Sequence, residues 1–396
     1  MKPASKGTVN LTRILIFLGI SCVLVFGMHY YVWARLVRDP QLPDPWARAV
    51  TAALVGLAIS LPLSLMVSRL FPGATVRPLL WLVYIWMGVS FLFLATLSAV
   101  DLVRLLGWAG QKLLGPDGPS DPRKRLFLTR SVAAGVGGAV AALTAVGLKS
   151  ALGETQVKEL VIKLRNLPSA LAGLRLVQIS DVHVGPLLRK DWVTRLVAEV
   201  QALKPDLIVI TGDLVDGSVD ELREHVAPLS GLKAPHGVFF VTGNHEYYSG
   251  VSAWLSHLPT LGIRPLANER LEVAPGLDLA GINDLTAHGS DAPDLTRALE
   301  GRNPQRPVVL LAHQPRQFLE AAEKGVDLTL SGHTHGGQIW PFAWLVALAQ
   351  PYVAGLHQRG ASQLYVSRGT GFWGPPMRIL APAEITLLKL VPAQAT

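Results

Sequence analysis

Five short motifs in this chain carry side chains that bind metals. In order they are Asp181-Val182-His183, Gly212-Asp213, Gly243-Asn244-His245-Glu246, His313, and Gly332-His333-Thr334-His335-Gly336-Gly337-Gln338. Together they use five of the eleven histidines. Carboxylate, imidazole and amide oxygen suit divalent Mn, Fe or Zn, whereas Cu(I) and iron–sulfur clusters want thiolates. The single cysteine, Cys22, lies in an apolar run far from the motifs, which excludes a cysteine-based site. The donors present are sufficient for two ions.

Each motif directly follows a short run of Val, Ile and Leu that reads as a strand. Leu174–Ile179 leads to Asp181, Leu207–Ile210 to Asp213, and Val238–Val241 to Asn244. Val308–Ala312 leads to His313, and Leu328–Leu330 to His333. Asp191–Leu203, Asp220–Leu229, Asp294–Leu299 and Arg316–Ala322 read as intervening helices, so the alternation predicts an α/β fold. Loops at the carboxyl ends of such strands meet in one crevice, which brings distant donors together. His333 and His335 are two residues apart, so on an extended segment both face one site. Taken singly, an Asp-x-His reads as a capped turn and a Gly-Asp as a plain turn; the metal reading rests on the ordered set. His225, His236, His257, His288 and His357 read as surface or helix-end residues, and His29 closes the first apolar run.

The motif order resembles the calcineurin-like metallophosphoesterase superfamily, over roughly Leu174 to the C-terminus. The long ending Gly-His-Thr-His-Gly-Gly-Gln, then Tyr365-Val366-Ser367-Arg368-Gly369 and a closing strand near Glu384-Ile385-Thr386, is similar to its membrane-associated bacterial branch. Some members there act on lipid-linked sugar nucleotides such as UDP-diacylglucosamine. The resemblance implies two facing β-sheets flanked by helices, and two divalent ions. It implies that Asp181, His183 and His335 hold one ion, that Asn244, His313 and His333 hold the other, and that Asp213 bridges them. His245 would face the substrate as a general acid or charge stabiliser, with Glu246 orienting it or reaching a ligand from behind. Asp213-Leu214-Val215-Asp216 is followed by Gly217 and Ser218, where the superfamily's protein serine/threonine phosphatases carry arginine. A phosphoprotein phosphatase is therefore disfavoured.

The 396 residues divide by composition into a membrane region over 1–150, a linker over 151–172, and the metallophosphoesterase domain over 173–396. Hydrophobic residues make up 50% and charged ones 16%, with the apolar excess in the first part. Ile14–Trp33, Ala49–Val67 and Leu79–Val100 are each long enough to span a bilayer, which takes about 20 apolar residues. Ser131–Leu148 is shorter, and reads as a fourth span or as a buried or interfacial helix. Nine lysines and arginines in the first and third loops stand against five at the N-terminus and in the second loop. That bias places the first and third loops in the cytoplasm and the catalytic domain outside a cell (inner) membrane. Lys124-Arg125-Leu126-Phe127-Leu128-Thr129 resembles a twin-arginine export signal, with lysine at the first arginine. If the fourth run does not span, the domain falls on the cytoplasmic side.

The net charge of +8 comes without a basic run interleaved with aromatics, so the expected partner is the anionic bilayer surface and no nucleic acid. Trp340–Val346 reads either as a core helix or as an apolar lip, with Trp344 touching an acyl chain. Arg368 is a candidate for a phosphate oxygen, with a structural hydrogen bond the equal alternative. The expectation is a membrane-anchored two-metal phosphoesterase acting on a lipid-linked phosphodiester or pyrophosphate. A general phosphodiesterase merely tethered to the membrane is the first alternative. A scaffold or sensor with a structural metal site is the second.

Overall fold

The computed structural model describes residues 11–70, 76–114 and 121–393. Lys2 and Lys6 of the charge count lie outside them. The chain divides into two compact units, Met1–Ala145 and Val146–Thr396.

The first unit is helical. Helices α1 (Leu11–Trp33), α2 (Trp46–Leu70), α3 (Arg77–Leu114) and α4 (Pro122–Leu152) are each long and apolar enough to cross a membrane. At 1.5 Å per residue α3 is ~57 Å long, well beyond a ~30 Å hydrocarbon core. The third apolar run therefore continues as helix past Val100 into the charged segment holding Asp101 and Arg104. Pro62 lies inside α2. Within the unit, two polar aromatic side chains find partners on neighbouring turns and helices. His29 Nδ1 donates to the Val25 carbonyl at 2.8 Å, and its Nε2 accepts from Trp86 Nε1 at 2.9 Å. Trp33 Nε1 donates to Thr51 Oγ1 at 2.9 Å.

The second unit is built on two six-stranded sheets. Its strands are β1 (Gln156–Leu164), β2 (Leu174–Ile179), β3 (Leu207–Thr211), β4 (Val238–Val241), β5 (Arg264–Pro265), β6 (Glu269–Ala274), β7 (Leu277–Gly281), β8 (Val308–Leu311), β9 (Leu328–Ser331), β10 (Gly355–Arg359), β11 (Ser362–Val366) and β12 (Glu384–Pro392). The first sheet runs β1-β12-β2-β3-β4-β5 and the second β10-β11-β9-β8-β7-β6. β2, β3 and β4 are mutually parallel, as are β7, β8, β9 and β11. The helices are α5 (Lys190–Ala202), α6 (Val219–Val226), α7 (Asn244–Ser249), α8 (Val251–His257), α9 (Leu295–Ala298), α10 (Phe318–Glu323) and α11 (Ala343–Ala349).

Strand alternation sorts the core into layers. Leu174, Leu176, Leu207 and Val209 of the first sheet meet Leu279, Val309, Leu311, Leu328 and Leu330 of the second in one buried cluster. Val177, Ile179, Ile208 and Ile210 point the other way and pack on α5, α6 and α8. Leu310, Leu364 and Val366 do the same against α9 and α10. Central strands buried on both faces have to be apolar throughout, which is why they read as continuous Val/Ile/Leu runs. The result is the expected α/β arrangement of two facing sheets flanked by helices.

Two expectations change. The stretch 151–172, expected as a linker, carries β1, which pairs in parallel with β12 from Gln156↔Glu384 to Leu164↔Pro392. Only Ile162 and Leu164 of β1 are buried, and the lysines and glutamate between its apolar residues make an edge strand look like a linker. Asp220–Leu229 and Arg316–Ala322 are not single helices. Each joins a short α-helix to a 3₁₀ turn that contains a proline, Pro228 or Pro315.

Candidate functional site

All the donor motifs lie at the carboxyl ends of parallel strands. Asp181 and His183 follow β2, Asp213 follows β3, and Asn244 and His245 follow β4. From the facing sheet, His313 follows β8, and His333 and His335 follow β9. The chain turns sharply at these positions. Asp181, His183, Asp213, His333 and His335 all take left-handed backbone, with φ between 50° and 71°. That region is sterically costly for residues with a Cβ and marks functional turns. Glycines permit the crowding. A Cβ on Gly212 would sit 2.6 Å from His313 Nδ1, and one on Gly332 would collide with Ser180 Oγ and Asp181 Oδ2.

The side chains form two principal donor groups, and Asp213 of the second also comes near His183 of the first. Asp181, His183 and His335 make the first, and Asp213, His313 and His333 the second; His183, Asp213 and His245 also lie within reach of one another. Asp213 Oδ2 is 3.2 Å from His313 Nε2 and 3.9 Å from His183 Nε2. Asn244 Oδ1 stands 3.0 Å from His333 Nδ1. Asp181 Oδ1 accepts the His333 backbone N–H at 2.8 Å and lies 3.5 Å from His335 Nε2.

The unpaired atoms indicate what the site holds. Asp181 Oδ2 and His313 Nε2 are buried and hydrogen-bond to nothing. His313 Nδ1 donates to the Thr211 carbonyl at 2.7 Å, so in the neutral ring its Nε2 presents a lone pair toward the Asp213 carboxylate, whose charge favours a proton there. His183 Nδ1 faces Asp216 Oδ1 at 3.1 Å, so in the neutral ring its Nε2 turns a second lone pair toward His335 Nε2, 3.1 Å away. Lone pairs set against one another and against carboxylates in a dry site repel unless a cation or proton lies among them. The donor set fits two divalent metal ions, and carboxylate with imidazole admits Mn, Fe or Zn alike.

The charges of the site are strongly coupled. Burial opposes a charged His183, but Asp216, then Asp213 and Asp181, outweigh it and push its pKa up to about 9. Burial, reinforced by His313, brings His333 down to about 4. Glu246 is pushed up to about 7, first by burial and then by the charge of Asp213.

Glu246 does not orient His245. It is fully buried, and its carboxylate accepts the backbone N–H groups of Asp213 at 3.0 Å, Leu214 at 2.7 Å and Gly243 at 2.6 Å. It thereby fixes the loop bearing Asp213. The residue that orients His245 is Asp216, whose Oδ1 takes the Nδ1–H at 2.6 Å. Asp216 is visible in the sequence as the fourth residue of Gly-Asp-x-x-Asp, but its double contact with His183 and His245 arises only from the turn after β3. Arg378 gives no sequence signal. It is fully buried and donates to the carbonyls of Arg368 at 2.8 Å, Ala381 at 2.9 Å and Gly371 at 2.9 Å, tying together the loops beneath His335.

The Arg368 guanidinium lies 3.4 Å from Glu384 Oε2, and its side chain runs beside Gly336, next to His335. The segment Trp340–Val346 is no core helix, since α11 buries none of its residues. Trp340, Trp344 and Leu345 are 47%, 67% and 56% exposed. Trp373, also exposed, sets its ring 5.6 Å from that of His245. Gln338 joins these two apolar segments, donating to the Trp373 carbonyl at 2.8 Å and accepting its N–H at 3.0 Å.

A two-sheet α/β sandwich with paired Asp/His donor groups at its strand ends defines a dimetal hydrolase class of site. The family model for calcineurin-like phosphoesterases matches residues 174–337. An uncharacterized metallophosphoesterase of Helicobacter pylori (strain ATCC 700392 / 26695) is 45% identical over 62% of this chain and 66% of its own length. A transmembrane protein with metallophosphoesterase domain from Bos taurus is 34% identical over 96% of this chain and 90% of its own. The chain belongs to the calcineurin-like phosphoesterase family, whose members are metal-dependent phosphoester hydrolases. Its match spans just under two thirds of the Helicobacter relative. Among solved structures, a dimetal phosphatase from Danio rerio is similar at 12% identity, with a TM-score of 0.34 over 50% of this chain and 88% of that one.

Proposed function

We propose that this chain is a membrane-anchored phosphoesterase that hydrolyses the phosphodiester or pyrophosphate bond of a lipid-linked substrate, of the UDP-diacylglucosamine kind. Asp181, His183 and His335 would hold one ion and Asn244, His313 and His333 the other, with Asp213 common to both. Two such ions, when bound, lower the pKa of a shared water and stabilise charge on phosphoryl oxygens. The protein's own contribution centres on His245. Asp216 fixes its Nδ1–H, so Nε2 is the atom that can carry a proton to the leaving oxygen. A structural metal site has no use for such a histidine, which disfavours the scaffold or sensor reading.

The observation that carries the lipid reading is the exposed aromatic surface at the site, Trp373 beside His245 and continuing through Gln338 into Trp340, Trp344 and Leu345. The C-terminal end of α11 borders a cavity of about 610 Å³ lined in part by Leu285, Leu319 and Leu348. Amphipathic aromatics of this kind suit a bilayer interface. Four helices apolar enough to span, and relatives described as transmembrane proteins, support membrane association. With all four helices spanning, the charge bias puts the catalytic domain on the extracytoplasmic side of a cell membrane.

Each methylene buried on such a surface contributes about 0.8 kcal/mol. Trp344→Ala or Phe342→Ala should lower kcat/KM on a lipid pyrophosphate about tenfold or more and leave bis-p-nitrophenyl phosphate hydrolysis nearly unchanged. Equal losses on both, or no lipid preference in the unaltered protein, would favour the tethered general phosphodiesterase.

A further inference from the structure

The helical unit contains a second polar feature that the hydrolytic site does not use. Arg35, Arg38, Arg104 and Arg125 line one cavity of about 690 Å³, together with Asp39, Gln41, Leu128 and Thr129. The sequence spreads these arginines over three helices. They converge because Arg35 pairs with Asp101 at 2.8 Å, and because Arg130 donates to the carbonyls of Pro40 at 2.9 Å and Gln41 at 3.1 Å. Arg35 and Arg38 stand on a five-residue π-helical segment, Ala34–Arg38, that ends α1. Such segments are rare and occur often at functional sites.

Among the described residues the charges do not balance. Asp39 takes Arg35 at 2.7 Å and Arg38 at 2.9 Å, and Asp101 takes Arg35 and, at 3.6 Å, Arg104. Two carboxylates thus serve three arginines. The Arg125 side chain has neither an ion pair nor a hydrogen bond among the described residues. A cavity with an excess of guanidinium groups and few acids is complementary to phosphate, which arginine binds in bidentate fashion. The surroundings decide between a soluble anion and a lipid. Leu128, in the cavity wall, is 59% exposed, and the neighbouring helical surface exposes Leu102, Leu106, Trp108 and Phe127. Tyr30, an exposed aromatic, accepts a hydrogen bond from Arg38 at 3.2 Å. Arginines bordered by apolar and aromatic side chains match a headgroup with acyl chains beneath it.

We infer that this arginine cavity binds the phosphate headgroup of an anionic phospholipid. The inference rests on the helices lying in a bilayer but is independent of the hydrolytic reaction. It is tested on the full chain in nanodiscs, by native mass spectrometry of retained lipid. The probes are phosphatidylglycerol, cardiolipin and phosphatidylcholine, with inorganic phosphate as competitor. The expected result is about tenfold preference for the anionic lipids, largely lost in Arg104→Gln/Arg125→Gln and kept in Arg123→Gln/Lys124→Gln. The second pair removes equal charge outside the cavity. Arg125→Gln alone breaks no internal bond and should weaken retention about threefold to fivefold even if the double variant does not fold. Equal loss in both double variants would reduce the cavity to diffuse surface charge and overturn the inference. So would displacement of the lipid by millimolar phosphate, which would mark a soluble anion as the ligand. Incorporation without headgroup preference overturns this inference alone, and failure to incorporate overturns the membrane reading with it.

Discussion

His245 Nδ1 donates a 2.6 Å hydrogen bond to Asp216 Oδ1, and the same oxygen lies 3.1 Å from His183 Nδ1. One carboxylate therefore sets the tautomer of a donor in the first metal group and of the histidine beside both groups. Asp216→Asn keeps the shape and removes the charge. It should lower kcat about 10- to 100-fold, the usual effect of losing such an orienting partner. Steady-state kinetics on bis-p-nitrophenyl phosphate, with metal content measured in parallel, checks it. Unchanged kcat would leave Asp216 a purely structural residue.

Asp213 and His245 should separate by metal content. Asp213→Asn removes the carboxylate proposed to be common to both ions, so turnover and bound metal should fall together. His245→Ala should lose about 10²- to 10⁴-fold in kcat while keeping both ions. Elemental analysis of the purified variants decides this, and loss of an ion from His245→Ala would make that histidine a ligand.

Gly332→Ala tests the packing that brings the two sheets' loops together. The added Cβ collides with Ser180 Oγ and Asp181 Oδ2. Over-packing of this kind costs about 1–3 kcal/mol. A lower Tm and a lower metal stoichiometry are expected, whereas an unchanged Tm would mean the loop after β9 can move aside.

Metal uptake should be coupled to proton release. A donor must be deprotonated to bind, and Asp216 and its neighbours hold His183 up at about 9 in the metal-free protein. Below that pH the ion must displace the proton. His313, held protonated by Asp213, must give up a second proton, so affinity should rise by about tenfold or more per pH unit from neutrality. Asp216→Asn weakens the attraction holding the His183 proton, so that part of the rise should come at lower pH. Calorimetry in buffers of different ionisation enthalpy counts the protons released.

The orientation of the catalytic domain is open to a direct test. An alkaline phosphatase fusion after Lys158 should be active and a green fluorescent protein fusion there dark. The reverse would place the donor groups in the cytoplasm.

Much of this protein is determined by local sequence. The strands ending in Asp181, Asp213, Asn244, His313 and His333 are visible because central strands, buried on both faces, must be continuously apolar. The donor residues are visible because metal chemistry restricts their types. The long apolar runs that form α1–α3 are visible because each is continuously apolar over the length a bilayer crossing takes. What the sequence hides is whatever depends on a distant partner. β1 reads as a linker because an edge strand half exposed to water keeps its lysines and glutamate, and only pairing with β12 makes it part of the sheet. Glu246 sits next to His245 in the chain yet bonds the backbone of Asp213, because α7 turns its side chain inward. Asp216 acquires its role where the turn after β3 passes His183 and His245, and the Arg378 guanidinium is buried among the carbonyls of His335, Arg368, Gly369, Gly371 and Ala381. Periodicity and residue type report the local environment, whereas hydrogen bonds between loops of separate strands exist only once the two sheets have packed.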